Sequence, residues 1–269
     1  MREEFQNIWV HDDAQLEELL GNKIIAREKL SHWPLSYVEK VTLRDDTQII
    51  YKSQHSASSM ELKFYSHIKA PYLASPIYHE IYLNCDIMVF PCLNYPILEN
   101  VSVDNLEATV LCVSNMIQGI DDMPVFFDVS SIEKLSRLVD SVCTIFDDKD
   151  EVRNTALLKK WVSEKSGVCF EKQLIGNVHG DLTASNILTD NGKPRYILDW
   201  QRPMKAPLAL ECALAYRLAG YDTVEKYSDF GLLAIICHFI WYAFACKNFT
   251  PFIYGNAHKL LLEIVSNIL

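Results

Sequence analysis

The residue pattern of this chain changes near residue 95, and that change limits the possible folds more than any other feature of its 269 residues. On the N-terminal side, short runs of β-favouring residues alternate with turn signals. Val38-Glu-Lys-Val-Thr-Leu43 and Gln48-Ile-Ile-Tyr-Lys52 flank a turn at Asp45-Asp46; Tyr78-His-Glu-Ile-Tyr-Leu83 and Asp86-Ile-Met-Val-Phe90 make a second pair around Asn84-Cys85. Between the pairs, residues 58–69 read as a short helix whose start, Ser58-x-x-Glu61, matches a capping box. On the C-terminal side, apolar residues recur at helical spacing, which predicts helices over 102–119, 131–146, 153–166, 208–219, 229–247 and 255–268. One β island interrupts them: Asn186-Ile-Leu-Thr189 and Arg195-Tyr-Ile-Leu198 flank Asp190-Asn191-Gly192, a strong hairpin signal. The expectation is an α+β chain, with a small antiparallel sheet over residues 1–93 and a mainly helical region over 94–269.

A hydrophobic fraction of 49% gives such a chain enough apolar residues for a sizeable core. The formal net charge of −10 offers no basic footprint for nucleic acid or anionic lipid. No two of the eight cysteines form a C-x-x-C pair, and most have apolar neighbours, which reads as reduced core thiols. The first residues lack the apolar stretch of a signal peptide. The longest apolar run, Phe230 to Cys246, carries Gly231 and His238 and is short for a membrane span, so it reads as a buried helix. These features predict a cytoplasmic protein with neither nucleic acid nor membrane as partner.

The stretch richest in chemistry is His179-Gly180-Asp181-Leu182-Thr183-Ala184-Ser185-Asn186, followed by Ile197-Leu198-Asp199-Trp200. Asn186 opens the hairpin and Asp199 closes it, so strand pairing brings the two side by side. One amide oxygen and one carboxylate at short range make a hard-oxygen pair suited to Mg²⁺, an ion that takes its other ligands from water and phosphates. Asp181 stands five residues before Asn186 as an acceptor for a hydroxyl proton.

His-x-Asp-x-x-x-x-Asn followed by a hydrophobic strand and Asp resembles the catalytic loop and metal-binding Asp of the protein-kinase-like fold. The form His-Gly-Asp-Leu-x-x-x-Asn-Ile-Leu with Ile-Leu-Asp-Trp after it is similar to the aminoglycoside phosphotransferase and choline kinase group, which phosphorylates small molecules. The resemblance implies a two-lobe fold, with a nucleotide-binding N-terminal lobe and a catalytic, substrate-binding C-terminal lobe. It further implies ATP or GTP as phosphoryl donor, Mg²⁺ as cofactor and a small-molecule hydroxyl as acceptor. In that scheme Asp181 orients the acceptor hydroxyl, Asn186 and Asp199 hold the metal, and His179 braces the loop. Lys52 would reach the nucleotide's phosphates with Glu61 as its anchoring carboxylate. Residues 89–93 would hold adenine through backbone groups, with Phe90 and Cys92 among them and Met88 at the rear of the pocket.

The chain also departs from the pattern. No glycine lies between Gly21 and Gly119, so the phosphate loop has no glycines; its counterpart is the turn Ser31-His-Trp-Pro-Leu-Ser36, with Ser36 as a phosphate contact. Gly180 replaces the arginine that receives an activation-loop phosphate in many protein kinases, and the segment after Asp199 is too short for such a loop. Both features favour a small-molecule enzyme over a protein kinase. Where the resembled group has an Asp supporting the catalytic loop, Glu211 stands in Leu210-Glu211-Cys212-Ala213. The acceptor stays open among aminoglycosides, amino alcohols and sugars. Asp121-Asp122 and Glu211 are candidate carboxylates, and Trp241-Tyr242 are aromatics that read more readily as core. A catalytically silent, kinase-like nucleotide-binding module is the competing expectation.

Overall fold

The structure, a computed structural model, describes residues 8–98 and 102–269. The chain divides into two compact units, the first closing at Tyr95 and the second opening at Pro96.

The first unit begins with a helix, α1 (Asp13–Leu20), that the sequence reading did not anticipate. Asp12 and Gln15 form a reciprocal capping box at its start, and Gly21 ends it in the left-handed region at φ 64°. Five antiparallel strands follow: β1 (Ile24–Trp33), β2 (Ser36–Leu43), β3 (Gln48–His55), β4 (Tyr78–Tyr82) and β5 (Cys85–Pro91), in sheet order β1-β2-β3-β5-β4. Four were anticipated; β1 was not, because its residues Arg27-Glu28-Lys29 break the apolar alternation that marks a strand. Alternation along β3 gives the sheet two different faces. Ile49 and Tyr51 join Val41, Leu43, Ile87, Val89 and Leu16 of α1 in a core. Ile50, Lys52 and Gln54 face the other way, and Lys52 sits in one cross-strand row with Val38 and Met88.

The helix between the strand pairs is shorter than expected. It is α2 (Glu61–His67), and its N-cap, Met60, makes no side-chain capping bond. The Ser58–Glu61 capping box does not form: the Ser58 hydroxyl donates to the His55 carbonyl at 2.8 Å, and Glu61 is engaged by Lys52. The turn of the second pair falls on Leu83-Asn84, both with positive φ, one residue earlier than the sequence suggested.

The second unit holds α3 (Val103–Gln118), α4 (Ile132–Val142), α5 (Lys149–Glu164), α6 (Ala209–Leu218), α7 (Thr223–Tyr227), α8 (Asp229–Asn248) and α9 (Tyr254–Ile268). The predicted helices are present, and α7 is an addition. α8 is long and apolar enough to cross a membrane by length and composition, yet 67% of its most apolar window is buried among its neighbours. A helix that is apolar on every side is what the centre of a helical bundle requires. Three short strands make a sheet the sequence reading missed: β6 (Phe127–Asp128), β7 (Ile175–Val178) and β10 (Met204–Pro207), in order β6-β10-β7. The anticipated hairpin is β8 (Ile187–Asp190) with β9 (Lys193–Ile197), turning through Asn191 and Gly192, both at positive φ.

Candidate active site

β7 ends at Val178, opposite Met204 of β10, so the strand delivers His179, Gly180 and Asp181 beside the segment that follows Asp199. The fit there is close. A Cβ on Gly180 would lie 2.3 Å from the Arg202 carbonyl oxygen, and Gly180 has φ 81°, so the position requires glycine twice over.

His179 is fully buried and bonded at three points. Its backbone N–H donates to Glu211 Oε2 at 2.5 Å. Its Nε2 donates to the Leu198 carbonyl at 2.9 Å, which leaves Nδ1 to accept the Asp181 N–H at 3.3 Å. Burial holds its pKa below the ordinary value, so the ring stays neutral in this tautomer. The ring packs against Trp200 at 4.5 Å between centroids. His179 thus joins the residues before Asp181 to those before Asp199.

Glu211 lies in the first turn of α6 and is completely buried. Its carboxyl also accepts the Gly180 N–H, at 3.4 Å. Burial pushes its pKa up to about 7 against the opposing pull of the two amides. Its carboxyl thus ties α6 to two consecutive amides of the segment that leads to Asp181.

Asn186 closes a single 3₁₀ turn, and its Nδ2 donates to the Asp181 carbonyl at 2.8 Å. That bond directs Oδ1, the amide's acceptor, to the other side. The Leu198 N–H donates to the Asn186 carbonyl at 2.8 Å, so the hairpin holds Asn186 and the residue before Asp199 in register. Asp199 has φ 64°, a conformation aspartate tolerates better than most residues. Among the described residues no group of three or more His, Cys, Asp or Glu side chains is placed to hold a metal. An amide oxygen and a carboxylate alone suit Mg²⁺ that keeps water and phosphate ligands, and do not suit zinc.

In the first unit, Lys52 and Glu61 form a buried ion pair. The Glu61 backbone N–H is taken by the Ser59 hydroxyl at 3.0 Å. Met88 is fully buried in the Lys52 row, and Phe90 packs edge-on against Tyr65 of α2 at 5.1 Å. The Cys92 N–H donates to the Gln48 carbonyl at 3.1 Å, so that amide belongs to the sheet. The turn before Ser36 is shorter than expected. The turn expected over residues 31–36 is only Pro34-Leu35, because Ser31, His32 and Trp33 are paired with Val38, Tyr37 and Ser36. Ser36 is a strand residue opposite Gln54, on the face that carries Lys52.

The residue missed by the sequence reading is Arg202. Its guanidinium forms an ion pair with the Asp181 carboxylate and lies 5.0 Å over the Trp241 ring. The only sequence signal was a cation three residues after Asp199. Trp241 is a core residue, packed against Phe126 at 5.5 Å, and Asp121 and Asp122 are exposed.

No protein-family model matches the chain, and no curated protein matches it in sequence. Solved structures do match. Aminoglycoside phosphotransferase APH(4)-Ia aligns with TM-score 0.67 and 12% identity, over 94% of this chain and 96% of that one. Macrolide 2'-phosphotransferase type I aligns with TM-score 0.57 and 15% identity, over 97% and 98%. The streptomycin–ATP–APH(2")-IIa ternary complex aligns with TM-score 0.57 and 16% identity, over 97% of each chain. At such identities the likeness speaks for architecture: from end to end, the chain has the protein-kinase-like fold that these small-molecule phosphotransferases share.

Proposed function

We propose that this protein is a phosphotransferase that moves the γ-phosphoryl group of ATP, or of GTP, to a hydroxyl of a small molecule. One observation carries the reading. A single bonded frame, built on His179 and Glu211, ties together Asp181, Asn186 and Leu198, the residue before Asp199. Glu211 and His179 are buried polar groups whose bonds join the segment before Asp181 to the residue before Asp199.

Asn186 Oδ1 and the Asp199 carboxylate are the groups that would hold Mg²⁺. When bound, Mg²⁺ neutralises charge on the nucleotide's β- and γ-phosphates. The family resemblance gives the Lys52 ammonium, paired with Glu61, a part in that neutralisation. Asp181 accepts the hydroxyl proton's hydrogen bond and aims the oxygen at phosphorus. Phosphoryl transfer depends on positioning and charge neutralisation more than on covalent help, and this donor set supplies both. AMP-PNP and ADP, seen with hygromycin B in structures of APH(4)-Ia mutants that align with this chain, support nucleotide binding here.

A screen for ADP and GDP release against aminoglycosides, amino alcohols and sugars tests the reading. Release stimulated by one class identifies the acceptor. A catalytically silent nucleotide-binding module is the competing reading, and the Arg202 ion pair that engages Asp181 is what favours it. Nucleotide binding without release for every acceptor would decide for that module.

A further inference from the structure

Buried polar side chains in the first unit form a second tie beside the Lys52–Glu61 pair. Residues alternate along β3, so Lys52 and Gln54 project from the same face of the sheet. Ser59 and Glu61 meet them from the start of α2. The Lys52 ammonium pairs with the Glu61 carboxylate, and Gln54 Nε2 donates to the Ser59 hydroxyl at 2.8 Å. The same hydroxyl accepts the Glu61 backbone N–H at 3.0 Å. Two rungs therefore join β3 to the start of α2, and all four residues in them are buried.

The second rung is a poor stabiliser. Gln54 is only 1% exposed, and its Oε1 has no hydrogen-bond partner among the described residues. An unpaired buried acceptor opposes folding by at least as much as the amide's one bond favours it. An apolar residue of similar shape would remove that oxygen and leave Ser59 its bond to Glu61. Stability therefore does not account for a glutamine at this position. What the amide does is hold Ser59. Met60, the N-cap of α2, makes no side-chain bond, so the Ser59 hydroxyl is the group that fixes the first N–H of the helix, that of Glu61.

We propose that Gln54 is a positioning residue for the nucleotide site. Through Ser59 it fixes where α2 begins, and so where the Glu61 carboxylate meets the Lys52 ammonium. The inference rests on the phosphotransferase reading, in which that ammonium serves the nucleotide's phosphates. Lys52 and Glu61 have long side chains that a lone ion pair leaves with several arrangements. Anchoring the Glu61 backbone removes this freedom before the nucleotide arrives, so the cost of ordering is not subtracted from binding.

Calorimetry of the full chain with Mg²⁺ and AMP-PNP, beside thermal melting, tests this. Gln54→Leu and Gln54→Met should each weaken nucleotide binding about 10-fold, with Tm unchanged or raised. Ser59→Ala should weaken it to a similar degree, and Ser59→Thr, which keeps the hydroxyl, should bind as wild type does. In a Glu61→Gln background, Gln54→Leu should change binding by less than about 2-fold, because no carboxylate is left to aim. Wild-type binding that the Gln54 variants leave unchanged overturns the inference alone. A lowered Tm with unchanged affinity does the same, since a purely structural bond behaves that way. A loss of affinity that persists in full in the Glu61→Gln background also overturns it. Failure of the wild type to bind Mg²⁺ and AMP-PNP overturns the inference and the phosphotransferase reading together.

Discussion

Two segments that the family resemblance assigns to phosphate chemistry are built in opposite ways. From Val178 to Asp199 the backbone is irregular, and buried side chains hold it: His179 ties Leu198 to Asp181, Asn186 ties onto Asp181, and Glu211 takes two consecutive amides. From Ile24 to Leu43 the backbone is an extended hairpin with two register shifts, held mainly by its ladder, with cross-strand ion pairs such as Arg27 with Glu39 beside it. The first construction depends on particular side-chain chemistry at fixed spacing. The second accepts many residues, provided they tolerate extended φ and ψ. The difference decides both where substitutions should hurt and what a reader of the sequence can see.

The largest effect is expected at the end of the side-chain-built segment. Asp199→Ala should lower kcat by about 1,000-fold or more if the proposal holds, because it removes the proposed metal ligand and the charge that goes with it. Steady-state turnover measures this, and near wild-type turnover would break the contrast.

Breaking the Lys52–Glu61 pair should cost stability next. Glu61→Ala removes the partner carboxylate from a buried ammonium, at about 3–5 kcal/mol in chemical denaturation. The double variant Lys52→Met with Glu61→Leu should regain most of that stability without regaining nucleotide affinity. Recovery of both would assign the pair a purely structural part.

Gly180→Ala should cost about 1–3 kcal/mol through its positive φ and the Arg202 carbonyl, again read by denaturation. A pH series sharpens the picture for Glu211. Its folded pKa is raised to about 7 from an ordinary value of 4.5, so the folded state keeps a proton that the unfolded chain releases. The stability this contributes is fully present below pH 4.5 and is lost as pH rises through about 7. Glu211→Gln removes the titration. The Tm of wild type relative to Glu211→Gln should therefore fall as the pH is raised from about 5 to about 8.

The smallest effect belongs to the ladder-built segment. Ser36→Ala should change nucleotide KM by less than about 3-fold, since Ser36 is a strand residue rather than part of an open phosphate loop. A loss of ten-fold or more would mean that the hairpin recognises phosphate through side chains after all.

The same contrast explains what was legible in the sequence. The loop and its hairpin were readable residue by residue, down to the Asn191-Gly192 turn, because each bond demanded a particular residue type. Glu211 was readable only as a candidate, since a buried carboxylate in a helix differs from an exposed one solely through tertiary contacts. Strand β1 was hidden because most of its residues are exposed, so neither face imposes an apolar alternation. Strands β6, β7 and β10 are too short to set a period of their own. The capping box expected at Ser58 does not form because the helix starts at Glu61, which puts that residue at N1 rather than N3, and its carboxylate pairs with Lys52. Arg202 lay in plain view, but its partner is 21 residues away, and no local spacing rule links them.

The central claim is that Asn186 and Asp199 hold one divalent ion together with a nucleotide. Mn²⁺ prefers the same oxygen ligands as Mg²⁺ and is visible by electron paramagnetic resonance. Titrating Mn²⁺ into the protein with AMP-PNP should give one nucleotide-dependent bound ion in wild type, and at least ten-fold weaker binding in Asp199→Ala. Equal Mn²⁺ binding by the two proteins, or binding that ignores the nucleotide, would contradict the account.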